Sequence, residues 1–419
     1  MSSEISWAPI DDLVEDIIDR RGVTPLKLGG DFVPSGHRVI SAKLMKGNRL
    51  DLAADEPRFV SSEIYAKWMK SPLMPGDVLM TSEAPLGELA FIAEECNWVL
   101  GQRLFALRPD PKLLDGRFLY YALHHPTVRA DIQSRASGTT VQGIRQTELR
   151  KVQLPLLPIS EQQEVAAVLA GLDDRIDNLR ATNATLEAIA QAIFKSWFID
   201  FDPVRAKMEG REPEGMDAET AALFPSEFEE SELGLIPRGW REGRLFDLVE
   251  LKYGKSLRAS DRHSGRVPVY GSGGITGWHD EAIVNHPTVI VGRKGSVGTL
   301  YWEDRPSFPI DTTFFVSPKA VPLTFCYYTM IGLGLDQLNT DAAVPGMNRD
   351  NAYRQPIIIP TSDVLGAWGA MTGVLREKIR LLDDEMGVLT ELRDALLPRL
   401  ISGNLRIDTS YGATEIAQC

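Results

Sequence analysis

LPLLPISEQQEVAAVLAGLDDRIDNL, residues 154–179, joins a short apolar run to a long amphipathic helix, and this stretch decides the fold. Beyond the prolines, apolar residues recur alternately four and three positions apart, which is the heptad pattern of a coiled-coil seam. Core packing alone would explain a shorter pattern, but this seam is longer than an ordinary helix of a globular protein, which has about 11 residues. We therefore expect a long helix that pairs with another. Its seam is Val165, Leu169, Leu172, Ile176, Leu179, Asn183, Leu186, Ala190, Ile193 and Trp197.

The same design occurs a second time, 203 positions further along the chain. Val141 and Gly143 recur as Val344 and Gly346, and in both halves an apolar run that ends in proline follows. The chain is therefore predicted to be an internal duplication in which each globular segment precedes a long helix. Pro398 is expected to kink or end the second helix, because proline has no N–H to donate. The second seam is Leu375, Ile379, Leu382, Met386, Leu389, Arg393, Leu396 and Leu400.

The globular segments repeat more weakly, at an offset of 211. Val78 corresponds to Val289, and Gly87 corresponds to Gly298. Short β-rich runs alternate there with turn-rich stretches and short helical patterns, so we expect an α+β protein with two mixed domains. Predicted strands include residues 289–291 and 312–316, and predicted helices include residues 118–123 and 325–331.

Composition places the chain among globular proteins with more than one domain. Of its 419 residues, 43% are hydrophobic and 25% are charged, which is typical of soluble proteins. The first residues lack a signal sequence, and no apolar run approaches the roughly 20 residues that span a bilayer. We expect a cytoplasmic protein without membrane contact. Cys96, Cys326 and Cys419 lie far apart, which favours neither disulfides nor a zinc site.

The net charge of −13 argues at first against a protein that binds nucleic acid. The charge is unevenly distributed, however, because residues 205–234 hold nine acids against three bases, whereas residues 20–49 hold seven bases against one acid. Basic patches therefore occur within an acidic chain, although each is equally compatible with ordinary solvated surface. The acidic stretch, residues 202–235, has few aliphatic residues and is predicted to be an exposed linker with marginal structure.

Motifs of enzymatic chemistry are incomplete throughout. Gly254-Lys255-Ser256 resembles the end of a phosphate-binding loop, but the glycine required five positions earlier is Val249. The chain has no Pro-Pro pair, which the base-holding motif of adenine methyltransferases contains. The histidines show no metal-ligand spacing. We therefore expect no catalytic residue and no metal site, including at His37, His124, His125, His263, His279 and His286.

The remaining candidate chemistry suits DNA, because arginine and lysine donate to phosphates and arginine reads guanine with its planar fork. GRKGSVG, residues 292–298, combines two cations with glycines that allow a backbone to approach a phosphate. SGTTVQGIR, residues 137–145, adds hydroxyl, amide and guanidinium donors. Either segment is equally compatible with a plain loop. The candidate DNA-binding residues are Lys43, Lys46, Arg49, Arg103, Arg135, Thr139, Thr140, Arg145, Lys255, Arg258, Arg293, Lys294, Ser296, Asn348 and Arg349.

These segments together give the chain a family resemblance. Over about residues 5–405 it resembles the specificity subunits of Type I restriction-modification systems. The resemblance rests on SGTTVQGI, on residues 154–179, on GRKGSVG and on LRDALLPRLISGNL at residues 392–405. These segments occur in the order typical of the family. The internal repeat means that this order of a globular segment and a long helix occurs twice.

The resemblance implies two target-recognition domains, each of which reads one half of a split, asymmetric DNA sequence. The two long helices would pair as an antiparallel coiled coil and set the gap between the half-sites. The implied segments are a first target-recognition domain at 1–158, a first helix at 159–201, the acidic linker at 202–235, a second target-recognition domain at 236–360, a second helix at 361–405 and a tail at 406–419.

The resemblance also implies partner subunits. Two modification subunits would bind along the helices, and motor-nuclease (restriction) subunits would join them. S-adenosylmethionine, ATP and Mg would be used by those partners, so no cofactor is expected in this chain. The expected partner-binding residues are Leu186, Phe194, Trp197, Phe198, Leu389, Leu397 and Ile401.

Two other functions remain open from the sequence. A protein-interaction scaffold could keep the helices and lack DNA binding, and retention of a bipartite duplex would exclude it. A self-contained modification enzyme would bind the methyl donor without partners, and the missing Pro-Pro motif argues against it.

Overall fold

The computed structural model describes residues 6–338 and 346–407. The chain divides into two compact units, and each long helix contributes to both. The first unit runs to Asn178 and resumes at Met386, whereas the second comprises residues 179–385. Both units mix helices and strands, so the α+β prediction is confirmed. Val344 and the tail beyond residue 407 lie outside the described residues.

The first unit is built from nine described strands, four short helices and parts of both long helices. In chain order they are β1 (Ser6–Pro9), β2 (Val14–Asp19), β3 (His37–Ile40), β4 (Phe59–Val60), α1 (Ser62–Trp68), β5 (Val78–Thr81), β6 (Leu89–Phe91), β7 (Val99–Leu100), β8 (Leu104–Pro109), α2 (Gly116–Ala122), α3 (Pro126–Ser134), α4 (Gln146–Leu149), β9 (Gln153–Leu156) and the long α5 (Ile159–Phe198).

The second unit repeats the order of the strands, but not of all the short helices, after a short insertion. Its elements are α6 (Asp202–Met208), α7 (Ala218–Ala222), β10 (Phe228–Ser231), β11 (Gly234–Pro237), β12 (Arg241–Arg244), α8 (Leu245–Leu248), β13 (Val249–Tyr253), β14 (Val267–Gly271), β15 (Gly274–His279), β16 (Thr288–Gly292), β17 (Leu300–Glu303), β18 (Phe308–Pro309), β19 (Thr313–Pro318), α9 (Leu323–Gly332), α10 (Arg349–Tyr353), β20 (Pro356–Ile359) and the long α11 (Ser362–Ile401).

The sheets show the duplication directly. The first unit has an antiparallel sheet β2-β8-β5-β6, and the second has β13-β19-β16-β17 in the equivalent order. A three-stranded sheet follows in each, β4-β3-β7 and β15-β14-β18, with one antiparallel and one parallel pairing. The pairs β1-β9 and β12-β20 complete the match. The weak offset seen in the sequence therefore reflects a common topology.

Strand alternation explains how the four-stranded sheet of the first unit is buried on both faces. Val78 and Met80 of β5 belong to one hydrophobic cluster, whereas Leu79 belongs to another. Successive side chains of a strand point to opposite faces, so one face packs towards α2 and α5. The other face packs towards α1 and the three-stranded sheet. Because both faces are packed, the ends of the strands hold their loops in fixed positions.

The long helices run antiparallel in the second unit. Asn183 of α5 donates to Asp383 of α11 at 2.7 Å. One turn further along α5, Glu187 lies 3.0 Å from Arg376 of α11. Since higher numbers on α5 meet lower numbers on α11, the directions are opposed. Buried seam residues in the two units include Val165, Leu169, Ile176, Leu179, Ala190, Trp197, Ile379, Leu382 and Leu400.

In the first unit, Arg393, the charged residue of the second seam, forms an ion pair. Arg393 of α11 donates to Asp173 of α5 at 2.8 Å, and Asp173 also accepts from the Tyr121 hydroxyl. Through the repeat, Asp173 corresponds to Arg376, so equivalent positions carry opposite charges in the two helices. In both units the acid of the ion pair lies on α5 and the arginine lies on α11.

Two sequence predictions about elements were wrong. The acidic stretch is not a marginal linker, because α6, α7 and the hairpin β10-β11 form there and Val204 and Phe224 enter the core of the second unit. The prediction rested on the count of charged residues, which does not reveal the few apolar residues that anchor this segment. Of the two outcomes predicted for Pro398, a kink or an end of the helix, the end is wrong, since α11 continues to Ile401. Pro398 lies within one turn of the helix end and removes one intrahelical hydrogen bond there.

Candidate nucleic-acid interface

The GRKGSVG motif forms a tight loop at one end of the four-stranded sheet in the second unit. The main chain closes the loop, because the Gly298 N–H donates to the Gly292 carbonyl at 2.9 Å. Both glycines are required: a Cβ on Gly292 would lie 2.1 Å from the Ser296 carbonyl oxygen, and a Cβ on Gly298 would lie 2.1 Å from the Asp336 nitrogen. The loop therefore presents residues 294–296 to solvent.

Residues 346–349 lie beside this loop. Lys294 forms an antiparallel bridge with Gly346, and the Met347 N–H donates to the Arg293 carbonyl at 2.9 Å. We call residues 292–298 together with 346–349 the second loop pair. It brings together five predicted DNA-binding residues: Arg293, Lys294, Ser296, Asn348 and Arg349.

Two guanidinium groups flank an exposed tyrosine at the second loop pair. The ring centroid of Tyr253 lies 5.3 Å from the Arg293 guanidinium carbon and 5.2 Å from that of Arg349. Arg293 donates to the Asp311 carbonyl, and Arg349 donates to the Leu251 carbonyl. Each guanidinium has five N–H groups, so donors remain for a ligand. The arrangement can bind a phosphate or stack a base on the ring.

The first unit has a corresponding element at the equivalent strand end. Residue 143 bridges to both Glu83 and Ser137, and the Ile144 N–H donates to the Ser82 carbonyl at 3.0 Å. We call residues 82–87 together with 137–144 the first loop pair. Its tip, residues 139–142, is exposed and includes Thr139 and Thr140. The segments SGTTVQGIR and GRKGSVG are therefore opposite members of equivalent pairs in different units.

The first loop pair is more polar and less basic than the second. Through the repeat, Glu83 stands where Lys294 stands in the second unit, and its carboxylate lies 3.1 Å from Arg103. Gln146 takes the position of Arg349, and it likewise donates to a carbonyl of the first sheet strand, that of Ile17. The two units therefore offer different donor sets at equivalent positions, which suits recognition of two different sequences.

Other predicted DNA-binding residues are placed variously. Arg135 is held by Asp131 at 2.7 Å and Glu148 at 3.8 Å. Arg49 pairs with Asp177 of α5. Asn348 caps α10 by accepting from the Asp350 N–H. These three residues have contacts within the chain. Lys43, Lys46, Arg145, Lys255 and Arg258 are exposed, and Lys43 lies 3.4 Å from Asp55.

The structure does not leave the expected partner-binding residues at the surface. Phe194, Trp197 and Phe198 lie in the core of the second unit, where Phe194 packs 5.6 Å from the Trp368 ring. Leu397 and Ile401 lie in a core of the first unit. Leu186 and Leu389 are partly buried. The expected contact surface is thus mostly internal packing, because large side chains beside the seam are covered by the globular segments.

A different set of apolar residues on α11 is exposed. Val374 and Leu381 are exposed within the second unit, and Val388 and Leu392 within the first, with Val374 72% and Val388 65% exposed. Three of them follow one another at seven-residue spacing, which is a sequence signal for a second helix face. The equivalent α5 positions of Val374, Leu381 and Val388 are Gly171, Asn178 and Thr185.

Sequence reasoning also missed residues of the interface itself. Ser82, Glu83 and Tyr253 carry no motif of their own. The repeat contains the signal, because the offset of 211 that relates Gly87 to Gly298 also relates Ser82 and Glu83 to Arg293 and Lys294. No described helix combines the length and the apolarity needed to cross a membrane.

Residues 38–188 match the family model described as the Type I restriction modification DNA specificity domain. The match defines the class of this domain: one that confers DNA specificity in Type I restriction-modification systems. Over most of its length the chain is similar to the specificity subunits of Type I restriction-modification systems.

Two curated proteins are similar in sequence to this chain over most of its length. The HindI specificity subunit of Haemophilus influenzae is 25% identical over 406 residues, which covers 80% of this chain and 88% of that protein. The MjaIX specificity subunit of Methanocaldococcus jannaschii is 24% identical over 361 residues, covering 80% and 78%. The crystal structure of a Type I S subunit from M. genitalium matches 96% of this chain and 97% of that chain with a TM-score of 0.56 at 20% identity, which shows the fold.

Proposed function

We propose that this subunit reads a split, asymmetric sequence in double-stranded DNA, with one half-site for each unit. The observation that carries the proposal is the repeated loop pair. Each unit places a loop after the third strand of its main sheet beside a segment that precedes a short helix. Equivalent loops with different side chains suit two half-sites of different sequence.

The two units contribute different contacts. In the second unit, Arg293, Lys294 and Arg349 bind phosphates or base edges around Tyr253, with Ser296, Lys255 and Arg258 nearby in sequence. In the first unit, Thr139, Thr140 and Arg145 take this role, and Arg103 acts with Glu83. Lys43 and Lys46 add phosphate contacts that raise affinity without selecting a sequence. Arg49, Arg135 and Asn348 support the fold around these contacts.

Partner subunits supply the chemistry in this proposal. Two modification subunits bind along α5 and α11, and motor-nuclease subunits join for restriction. The exposed apolar residues of α11, rather than the buried ones near the helix ends, support a protein contact there. S-adenosylmethionine, ATP and Mg are then bound by the partners, and this chain holds none of them.

Genome-wide mapping of methylated adenines, with and without this gene, tests the proposal. We expect methylation at one split motif, two short half-sites with a fixed gap, to disappear when the gene is deleted and to return on complementation. A complementing Arg293→Ala/Lys294→Ala variant should restore less methylation and change one half-site only. Arg211→Ala, which removes an exposed cation paired with Glu209, is the matched control.

The alternatives give different results. Copurification of a methyltransferase with normal methylation in the deletion strain would indicate a scaffold. Methylation by the purified chain alone would indicate a self-contained modification enzyme.

A further inference from the structure

A group of three metal-ligating side chains forms beside β15 in the second unit, away from the loop motifs. Within the described part of the chain, the donor atoms of His263, His279 and Asp280 all lie within 4.8 Å of one another. His279 is buried, whereas His263 and Asp280 are open to solvent. The two histidines are 16 positions apart in sequence, which is why spacing gave no metal signal.

Two of the three distances between donor atoms match the edges of a tetrahedral coordination site. The Asp280 Oδ1 atom lies 3.2 Å from His279 Nδ1 and 3.4 Å from His263 Nδ1. Zinc binds imidazole nitrogen and carboxylate oxygen at about 2.0–2.2 Å, so tetrahedral neighbours are about 3.3–3.5 Å apart. The two imidazole nitrogens lie within 4.8 Å of each other, and a rotation of the exposed His263 side chain would bring all three donor atoms to one ion.

The hydrogen bonds leave an electrostatic problem that a cation solves. The His263 main-chain N–H donates to His279 Nδ1 at 3.0 Å, so the proton of a neutral His279 ring lies on Nε2. That N–H engages the Nδ1 lone pair, and no hydrogen lies between Nδ1 and the Asp280 carboxylate oxygen 3.2 Å away. A metal ion that binds Nδ1 replaces this hydrogen bond and neutralises the carboxylate.

The backbone around the three side chains is already held in place. Arg262 Nη1 donates to the Thr276 carbonyl at 2.6 Å, which fixes residues 261–266 along β15. A Cβ on Gly265 would lie 2.1 Å from the His279 carbonyl oxygen, so only glycine allows this approach. Preorganised ligands bind metal more tightly because less ordering is needed on binding.

We propose that His263, His279 and Asp280 bind one divalent transition-metal ion of the zinc class, with water at the fourth position. Two imidazoles and one carboxylate favour zinc, cobalt or nickel over magnesium or calcium, which prefer oxygen ligands. The ion fastens residues 261–266, which follow the candidate DNA contact Arg258, to β15. The site is independent of the proposed DNA reading.

The test uses the full chain without an affinity tag, stripped with EDTA and then dialysed. Isothermal titration with ZnCl2 should show one ion per chain, and the thermal unfolding midpoint should rise with zinc. His263→Ala should weaken binding by more than about tenfold, since even outer-shell losses cost roughly 10- to 100-fold. His286→Ala, which removes another exposed histidine of the same unit, should bind zinc normally.

A second variant keeps the test informative if His263→Ala perturbs folding. In His263→Cys a thiolate replaces one imidazole, so bound Co2+ should acquire a thiolate charge-transfer band that the unaltered chain lacks. The proposal is overturned if the unaltered chain fails to bind zinc at micromolar concentration. It is equally overturned if the folded His263→Ala variant binds as tightly as the unaltered chain, or if the cysteine variant gives no such band.

Discussion

Arg293 combines a structural and a binding role in one side chain. Its Nε and Nη2 atoms donate to the Asp311 carbonyl, so the outer face of the fork is only partly available. The Nε edge of the fork is therefore used within the chain, and the donors on Nη1 and Nη2 remain for a ligand. We expect this anchored side chain to contact a phosphate of the DNA backbone.

Replacement of Arg293 by alanine should weaken DNA binding nearly equally for all sequences. The slope of log affinity against log salt should fall by about one, as expected for one lost phosphate contact. Binding titrations of the assembled complex at several salt concentrations measure the slope. Lys252→Ala, at an exposed residue 3.5 Å from Glu250, is the control. An unchanged slope together with a relaxed base preference would indicate that Arg293 contacts bases instead of phosphate.

Phe194 illustrates how a sequence can suggest an interface where the fold makes a core. It is 7% exposed and packs against Phe198, Phe325, Tyr328 and Trp368. We expect Phe194→Ala to lower the free energy of unfolding by about 3–5 kcal/mol. Ile199→Ala, at an exposed position one residue beyond α5, should change it little. Denaturant titration measures both. A stable Phe194→Ala variant that fails to bind the modification subunit would restore the interface assignment.

His124 makes the stability of the first unit depend on pH. Burial lowers its pKa from 6.5 to about 4. Because the unfolded chain binds this proton more readily, the contribution to stability is fully present above pH 6.5 and is lost as the pH falls towards 4. Unfolding free energies at pH 7 and pH 5 should differ less in His124→Gln than in the unaltered chain. His286→Gln, at an exposed histidine, should keep the full pH dependence.

The two long helices were the most predictable elements, because a seam repeated over many turns leaves little ambiguity about type or partner. The fine architecture of the loop pairs was not predictable in the same way. Glu83 and residue 143 are far apart in sequence, and their bridge depends on where the sheet ends. Individual side chains such as Tyr253 gain importance only when two distant arginines meet over one ring.

The ion pair between Asp173 and Arg393 should stabilise the helix pair measurably. Both side chains are 26% exposed, which places the pair between surface and core. A double-mutant cycle with alanine should give a coupling free energy of about 1 kcal/mol, above the roughly 0.3–0.5 kcal/mol of exposed helical pairs. Lys67 and Glu63 provide such an exposed reference pair in the same unit. Equal coupling in both cycles would contradict a special role for Arg393.

At the scale of the whole molecule, we expect the gap between the half-sites to depend on α5 and α11, two continuous helices of 40 residues. Seven residues inserted between Asn178 and Leu179, and seven between Glu385 and Met386, preserve the phase of both seams. Each insertion adds about 10.5 Å, or about three base pairs. Methylation mapping should show unchanged half-sites with a gap wider by about three base pairs.

A control insertion separates length from disturbance. Seven residues placed in the hairpin turn between Glu232 and Leu233 should leave the gap unchanged. If the helix insertions also leave the gap unchanged while methylation persists, the helices do not set the spacing.

The two ion pairs, each with its acid on α5 and its arginine on α11, limit which rearrangements of the gene preserve the helix pair. A repeat with an offset of 203 invites unequal crossover, which would yield a chain with two copies of one half. A copy of α11 in place of α5 would put Arg376 where Asp173 now meets Arg393, so two cations would face each other. Exchange of a globular segment alone therefore leaves both ion pairs in place, whereas a chain with two copies of α11 is expected to have a less stable first unit.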